Sequence, residues 1–136
     1  MAKYVVTSQS VTINSVDLSA DCARAELVIN SADVETTDFS SGGFVELQGG
    51  LKSGVLNLDF HADYASGGAS ETLEALVGTV VPFVLIAGGT SVGTDTPSFS
   101  GSILINSFTP VAGAVGDLAT FSCSFPTSGA ITKATA

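Results

Sequence analysis

Apolar and polar residues alternate with a period of two along much of this chain, the pattern of strands with one buried face. Leu56, Leu58 and Phe60 fall on one side of such a strand, and Val55, Asn57, Asp59 and His61 on the other. Ala23, Ala25, Leu27 and Ile29 likewise share a face, opposite Arg24 and Glu26. Strands are predicted over 4–7, 11–13, 23–29, 34–38, 55–61, 79–86, 98–108, 118–125 and 130–132, supported by β-branched and aromatic residues. One segment, 71–77, reads as a helix. Ser70 stands where a cap belongs, Glu71 and Glu74 suit the positive end, and Gly78 follows the last turn. Leu73, Leu76 and Val77 give it one apolar side, so two turns of helix have to pack on the sheets.

Turn signals fall at Asn14-Ser15, Ser66-Gly67-Gly68, Gly88-Gly89, Gly113 and Gly116-Asp117. The connection 39–53 stands apart. Two glycine pairs flank Phe39, Phe44, Val45, Leu47, Leu51 and Lys52. Disordered segments avoid large apolar residues, and long loops in compact domains tend to be functional. A loop that packs on something outside its own strands is the expectation, a second subunit being the natural candidate. The elements make an all-β fold with one short helix, a β-sandwich or barrel. No linker divides residues 1–136, so one domain is expected, with ends that fray before Val5 and after Thr132.

Composition sharpens this picture. Hydrophobic residues make up 45% of the chain and charged ones only 12%, about half the ~25% of an average soluble domain. Apolar surface so thinly covered by charge points to burial against other copies. The net charge is −9, with Lys3, Arg24, Lys52 and Lys133 the only basic residues. They are scattered, whereas nucleic-acid binding needs clustered cations to neutralise several phosphates. No apolar leader follows Met1-Ala2-Lys3, and the longest apolar run, 80–87, is interrupted by Pro82 and far shorter than a membrane span. Synthesis in the cytosol and no membrane partner are expected. Cys22 and Cys123 fit no metal spacing and read as small buried hydrophobes; a disulfide would require their strands to adjoin.

Candidate chemistry is thin. Gly89-Thr90-Ser91-Val92-Gly93 has nucleophile-elbow spacing, but the only histidine, His61, lies upstream and a Gly/Thr-rich loop follows where a helix is needed. Asp59, His61 and Asp63 alternate and could present metal ligands, yet any polar strand face produces that spacing. Thirteen scattered acids without a tryptophan make a poor sugar site. No glycine-rich loop is followed by the Lys-Ser or Lys-Thr of a phosphate cradle. Neither enzyme activity nor a cofactor is expected.

The order of segments resembles the major tail (tail tube) proteins of siphophages, especially those infecting actinobacteria. The residues carrying the resemblance are Val11-Thr12-Ile13-Asn14 with Val16-Asp17-Leu18-Ser19, then Asp33-Val34-Glu35-Thr36-Thr37. Gly50-Leu51-Lys52 leading into Gly54-Val55-Leu56-Asn57-Leu58 follows, then Pro110-Val111, Val115-Gly116-Asp117-Leu118-Ala119-Thr120-Phe121 and Gly129-Ala130-Ile131. The resemblance spans nearly the whole chain in short pieces. It implies two packed antiparallel sheets, a flanking helix at 71–77 and a long protruding, inter-ring loop at 39–53. It further implies six-membered rings whose inner sheets join into a barrel, stacked into a tube in the virion. A tape measure protein, a tail terminator and distal tail or baseplate proteins are the implied partners. DNA would pass through without specific binding, and Glu26, Asp33, Glu35 and Asp59 are the candidate lumen-facing acids. Alternatives are a head-decoration or other virion β-protein, a secretion-system tube protein, and an extracellular adhesion or binding sandwich.

Overall fold

The computed structural model describes residues 5–89 and 91–135. Eight strands and one helix follow in order: β1 (Ser10–Ile13), β2 (Val16–Asp17), β3 (Cys22–Glu35), β4 (Leu47–His61), α1 (Ala69–Glu74), β5 (Val80–Ile86), β6 (Ser98–Leu104), β7 (Thr120–Pro126) and β8 (Thr132–Ala134). They form two antiparallel sheets, a five-stranded one ordered β2-β1-β5-β6-β8 and a three-stranded one ordered β3-β4-β7. The all-β architecture with one short helix is as the alternation predicted, and its two antiparallel sheets are as the resemblance implied.

The two sheets meet over one core. Leu56, Leu58 and Phe60 of β4 are fully buried, joined by Phe121, Cys123 and Phe125 of β7 and by Val11, Ile13, Val81, Phe83 and Ile103 of the opposite sheet. The ring of Phe121 packs tilted against Phe60 at 5.5 Å and edge-on to Phe108 at 5.4 Å. Gly101 lies under the Phe83 ring, where a Cβ would come within 3.2 Å. Asn14 and Ser15, with φ of 52° and 67°, make the two-residue turn that joins β1 to β2. Positive φ at both central residues is what a type I′ hairpin requires.

Several elements differ from expectation. The strands foreseen at 23–29 and 34–38 merge into one 14-residue strand, β3, which stops at Glu35 and leaves residues 36–38 outside it. The connection 39–53 is loop only in its first part, because β4 begins at Leu47 and pairs with β3 from Glu35↔Leu47 onward. The glycine pair read as loop, Gly49-Gly50, sits instead at a register shift opposite Ser31/Asp33. A Cβ on Gly50 would come within 2.9 Å of Val34 Cγ2, so these glycines serve a bulge inside a strand. Residues 105–108 and 118–119 lie outside β6 and β7, and β8 runs to Ala134, so Lys133 belongs to a strand. Of the strand expected at 4–7, residues 5–7 are not in a strand and Tyr4 lies outside the described residues, as do residues 1–3 and Ala136 of the expected frayed ends.

Helix α1 starts two residues early and stops at Glu74, short of Leu76 and Val77. Gly68 is its N-cap and no side chain caps it. Ser70 is buried and its Oγ accepts the Asp63 N–H at 3.1 Å, so its hydroxyl fastens the preceding loop. Glu71 reaches back to accept the Gly67 N–H at 3.1 Å. Leu73 is buried and Leu76 packs on the core, while Val77 is half exposed. Gly78 turns the chain with φ of 89°, and its N–H donates to the Ile105 carbonyl at 2.6 Å.

Candidate functional site

The two features that stand out are an arm and a sheet face. The arm is the outer half of the β3–β4 hairpin. β7 pairs with β4 from Val55↔Pro126 to His61↔Thr120 and no further, so residues 47–53 pair with β3 alone. Thr127 fixes the boundary: its N–H donates to the Gly54 carbonyl at 2.9 Å and its Oγ1 accepts the Gly54 N–H at 3.0 Å. Beyond that point a two-stranded ribbon stands away from the sandwich. Ribbons of that kind are marginal in water without packing.

The ribbon carries apolar side chains in the open. Phe39 and Leu51 are essentially fully exposed, at 109% and 88%, and Ile29, Val34, Phe44, Val45 and Leu47 are more than 45% exposed. Its tip is nonetheless shaped. Thr36 N–H donates to the Glu46 carbonyl at 2.9 Å, and Glu46 N–H to Thr37 Oγ1 at 2.8 Å, closing the base. Asp38 Oδ1 then accepts from Ser40 N–H at 2.9 Å and from the Ser40 and Ser41 hydroxyls. Those hydrogen bonds hold the Asp38 carboxyl below the usual carboxylate range. The ordered turn displays Phe39 and Phe44 rather than burying them. Lys52 lies on the ribbon opposite Ser31.

The second feature is the face of the three-stranded sheet that points away from the core. Cross-strand partners share a face, so Arg24 and Asp59, Glu26 and Asn57, Asn57 and Ser124, and Asp59 and Ser122 all lie on it. Arg24 Nη2 donates to Glu26 Oε2 at 3.0 Å, the only ion pair among the described residues. Asn57 Nδ2 donates to Glu26 Oε1 at 3.0 Å. Thr120 and His61 continue this face at one end, and Val28, Val55 and Pro126 at the other.

The four acids expected to line one channel therefore divide. Glu26 and Asp59 are together on this face. Asp33 and Glu35 alternate with Val34 and fall on the side of β3 that also carries Ala25 and Leu27, both packed against the core. The Arg24–Glu26–Asn57 network was not foreseen, because it depends on the β3–β4 register, although Arg24 and Glu26 two residues apart in a strand already signalled a shared face.

Other candidates are placed as follows. Asp63 leaves the line of Asp59 and His61, spending Oδ1 on the Ala65 N–H at 2.9 Å, and the three form no metal-ligating group among the described residues. His61 Nδ1 is buried without a hydrogen-bond partner. Ser91 and Gly93 lie in a loop tied by Thr96, whose Oγ1 donates to the Ser91 carbonyl at 2.8 Å, and Thr90 lies outside the described residues. Cys22 and Cys123 are free thiols on either side of β4, facing Phe60 and Leu58 respectively; two strand spacings with that two-residue offset put their Cα atoms roughly 11–12 Å apart, too far for a disulfide. A cleft of about 370 Å³ opens between the sheets, lined by Ala25, Leu27, Ile29, Leu85 and Phe99 with Gln9 as a polar member and no ionisable group. No helix among the described residues is long and apolar enough to cross a membrane.

No protein-family model and no curated protein matches the chain. Solved structures do. A chain from the virion of a native gene transfer agent particle superposes with a TM-score of 0.77 and 18% identity, covering 96% of this chain and 98% of that one. A chain from the tail of an empty gene transfer agent particle with C6 symmetry superposes with a TM-score of 0.65 and 20% identity, covering 82% and 81%. The fold is thus one found in chains of a virion and of a six-fold tail.

Proposed function

We propose that this chain is a tail tube subunit: six copies close into a ring, rings stack, and the axis becomes a conduit for DNA in a phage or phage-like tail. The reading is carried by the near-complete overlap of the fold with the chain from the virion particle, and the C6 tail supports the ring number. The molecule's own surfaces fit that role. β3 and β7 are the open edges of the three-stranded sheet. An unpaired edge as long as β3 invites pairing with another chain. Closing six copies head to tail, with β7 of one against β3 of the next, removes both edges. The outward face of that sheet then becomes the inner wall.

The arm supplies the axial contact. Phe39, Phe44, Val45, Leu47 and Leu51 gain an apolar environment only by reaching a neighbouring ring, so the inter-ring role falls to the tip and its flanking strand together. The chain acts structurally, without catalysis, cofactor or metal, and is made in the cytoplasm of the host before entering the tail. A tape measure protein inside the tube, a terminator and the distal tail proteins are its further partners. Negative-stain electron microscopy of the purified protein at high concentration tests the reading. Hollow tubes or six-fold rings are expected, whereas a globular monomer at every concentration would discard it.

A further inference from the structure

The polar face of β3-β4-β7 carries one cation, Arg24, and we infer that Glu26 masks it so that the proposed channel wall cannot hold a phosphate backbone; this rests on the conduit reading. Both oxygens of Glu26 are engaged, Oε2 by Arg24 and Oε1 by Asn57, each at 3.0 Å. Asp59, the register partner of Arg24, adds a second carboxylate on the same face. The face thus holds one guanidinium and two carboxylates, of which Glu26 touches the guanidinium, with Ser122, Ser124 and Asn57 as neutral neighbours. Most of the chain's excess negative charge lies elsewhere, so this wall resists DNA chiefly by offering no free cation.

The network matters because of what arginine does when released. Its planar fork is the side chain best matched to a phosphate. Six bare guanidiniums in every ring would form a ladder of phosphate contacts along the tube. Fold stability does not explain the pair. Its side chains are 53% and 45% exposed, and pairs so open to water are worth only about 0–1 kcal/mol. Glu26 is thus a positioning residue, holding Arg24 and itself held by Asn57.

Tubes of wild type, E26Q, R24Q/E26Q and E74Q are compared for binding of a fluorescent short DNA duplex across a salt series. Gln keeps an acceptor for Asn57 and removes only the charge. E26Q tubes are expected to bind the duplex with an affinity that falls with salt by a log–log slope of about 0.9 per phosphate engaged. Wild-type, R24Q/E26Q and E74Q tubes are expected to leave it free. If E26Q tubes bind no more than wild type, or if R24Q/E26Q or E74Q bind as E26Q does, the masking role is wrong. Should E26Q not assemble alone, tubes co-assembled from wild-type and E26Q subunits are expected to bind the duplex in proportion to their E26Q share, and mixed tubes that bind no more than wild type would overturn the role. Wild-type protein that builds no tube would refute the conduit reading itself before DNA is added.

Discussion

Replacing both Phe39 and Phe44 by Ser separates what folds this chain from what assembles it. Phe39 is 109% exposed and Phe44 78%, so neither contributes to the core of the lone subunit. Surface changes of that kind shift folding stability by no more than about 0.5 kcal/mol. In a stack the same rings would be buried, and fully burying a Phe side chain is worth about 1.5–3 kcal/mol. Losing two removes about 3–6 kcal/mol from each inter-ring contact, which raises the critical concentration for tube growth by roughly 10²–10⁴-fold. Sedimentation across a concentration series reads that threshold, and thermal melting of dilute subunits reads the fold. The expected result is an unchanged melt with assembly lost at concentrations where wild type forms tubes. Tubes appearing at the wild-type threshold would show that the tip makes no axial contact. A collapsed melt would show that the tip supports the subunit instead.

Three further outcomes follow from the geometry. Changing Glu26 and Asp59 together to Lys should leave tube assembly intact yet slow DNA delivery, measured as ejection rate, whereas the same change at Asp33 and Glu35 should act less because those acids lie on the other face. Gly54→Ala should lower stability by about 1–3 kcal/mol in urea unfolding, since its Cβ would meet Ile131 Cδ1 at 2.8 Å and the Val28 carbonyl oxygen at 3.0 Å, and the backbone oxygen cannot swing aside. Burial, with help from Asp59 and Cys22, pushes the Cys123 thiol up to about 12, and burial likewise raises Cys22. Both folded thiols should react slowly with a thiol reagent at pH 8 and fully after denaturation. The stability gained by keeping them protonated is intact below about pH 9 and lost as pH climbs toward the folded values, which urea midpoints at pH 8 and 10.5 will show.

What the sequence determined by itself was the class of structure and the buried half of each strand. The alternation Leu56, Leu58, Phe60 against Asn57, Asp59, His61 is a local property, because a pleated strand sends neighbours to opposite faces. The thin charge and the apolar residues around Phe44 and Leu51 also announced apolar surface, which the structure leaves in the open. Pairing lay beyond local reach. Glycines 49 and 50 look the same in a loop as in a bulge, and only their fit against Ser31 and Val34 makes them strand. That continuity turned two expected strands into one, and with it the parity that separates Glu26 from Asp33 and Glu35 across the sheet. The Arg24–Glu26–Asn57 network needed the register between β3 and β4, since two side chains 31 residues apart meet only when tertiary structure fixes which backbone positions face each other.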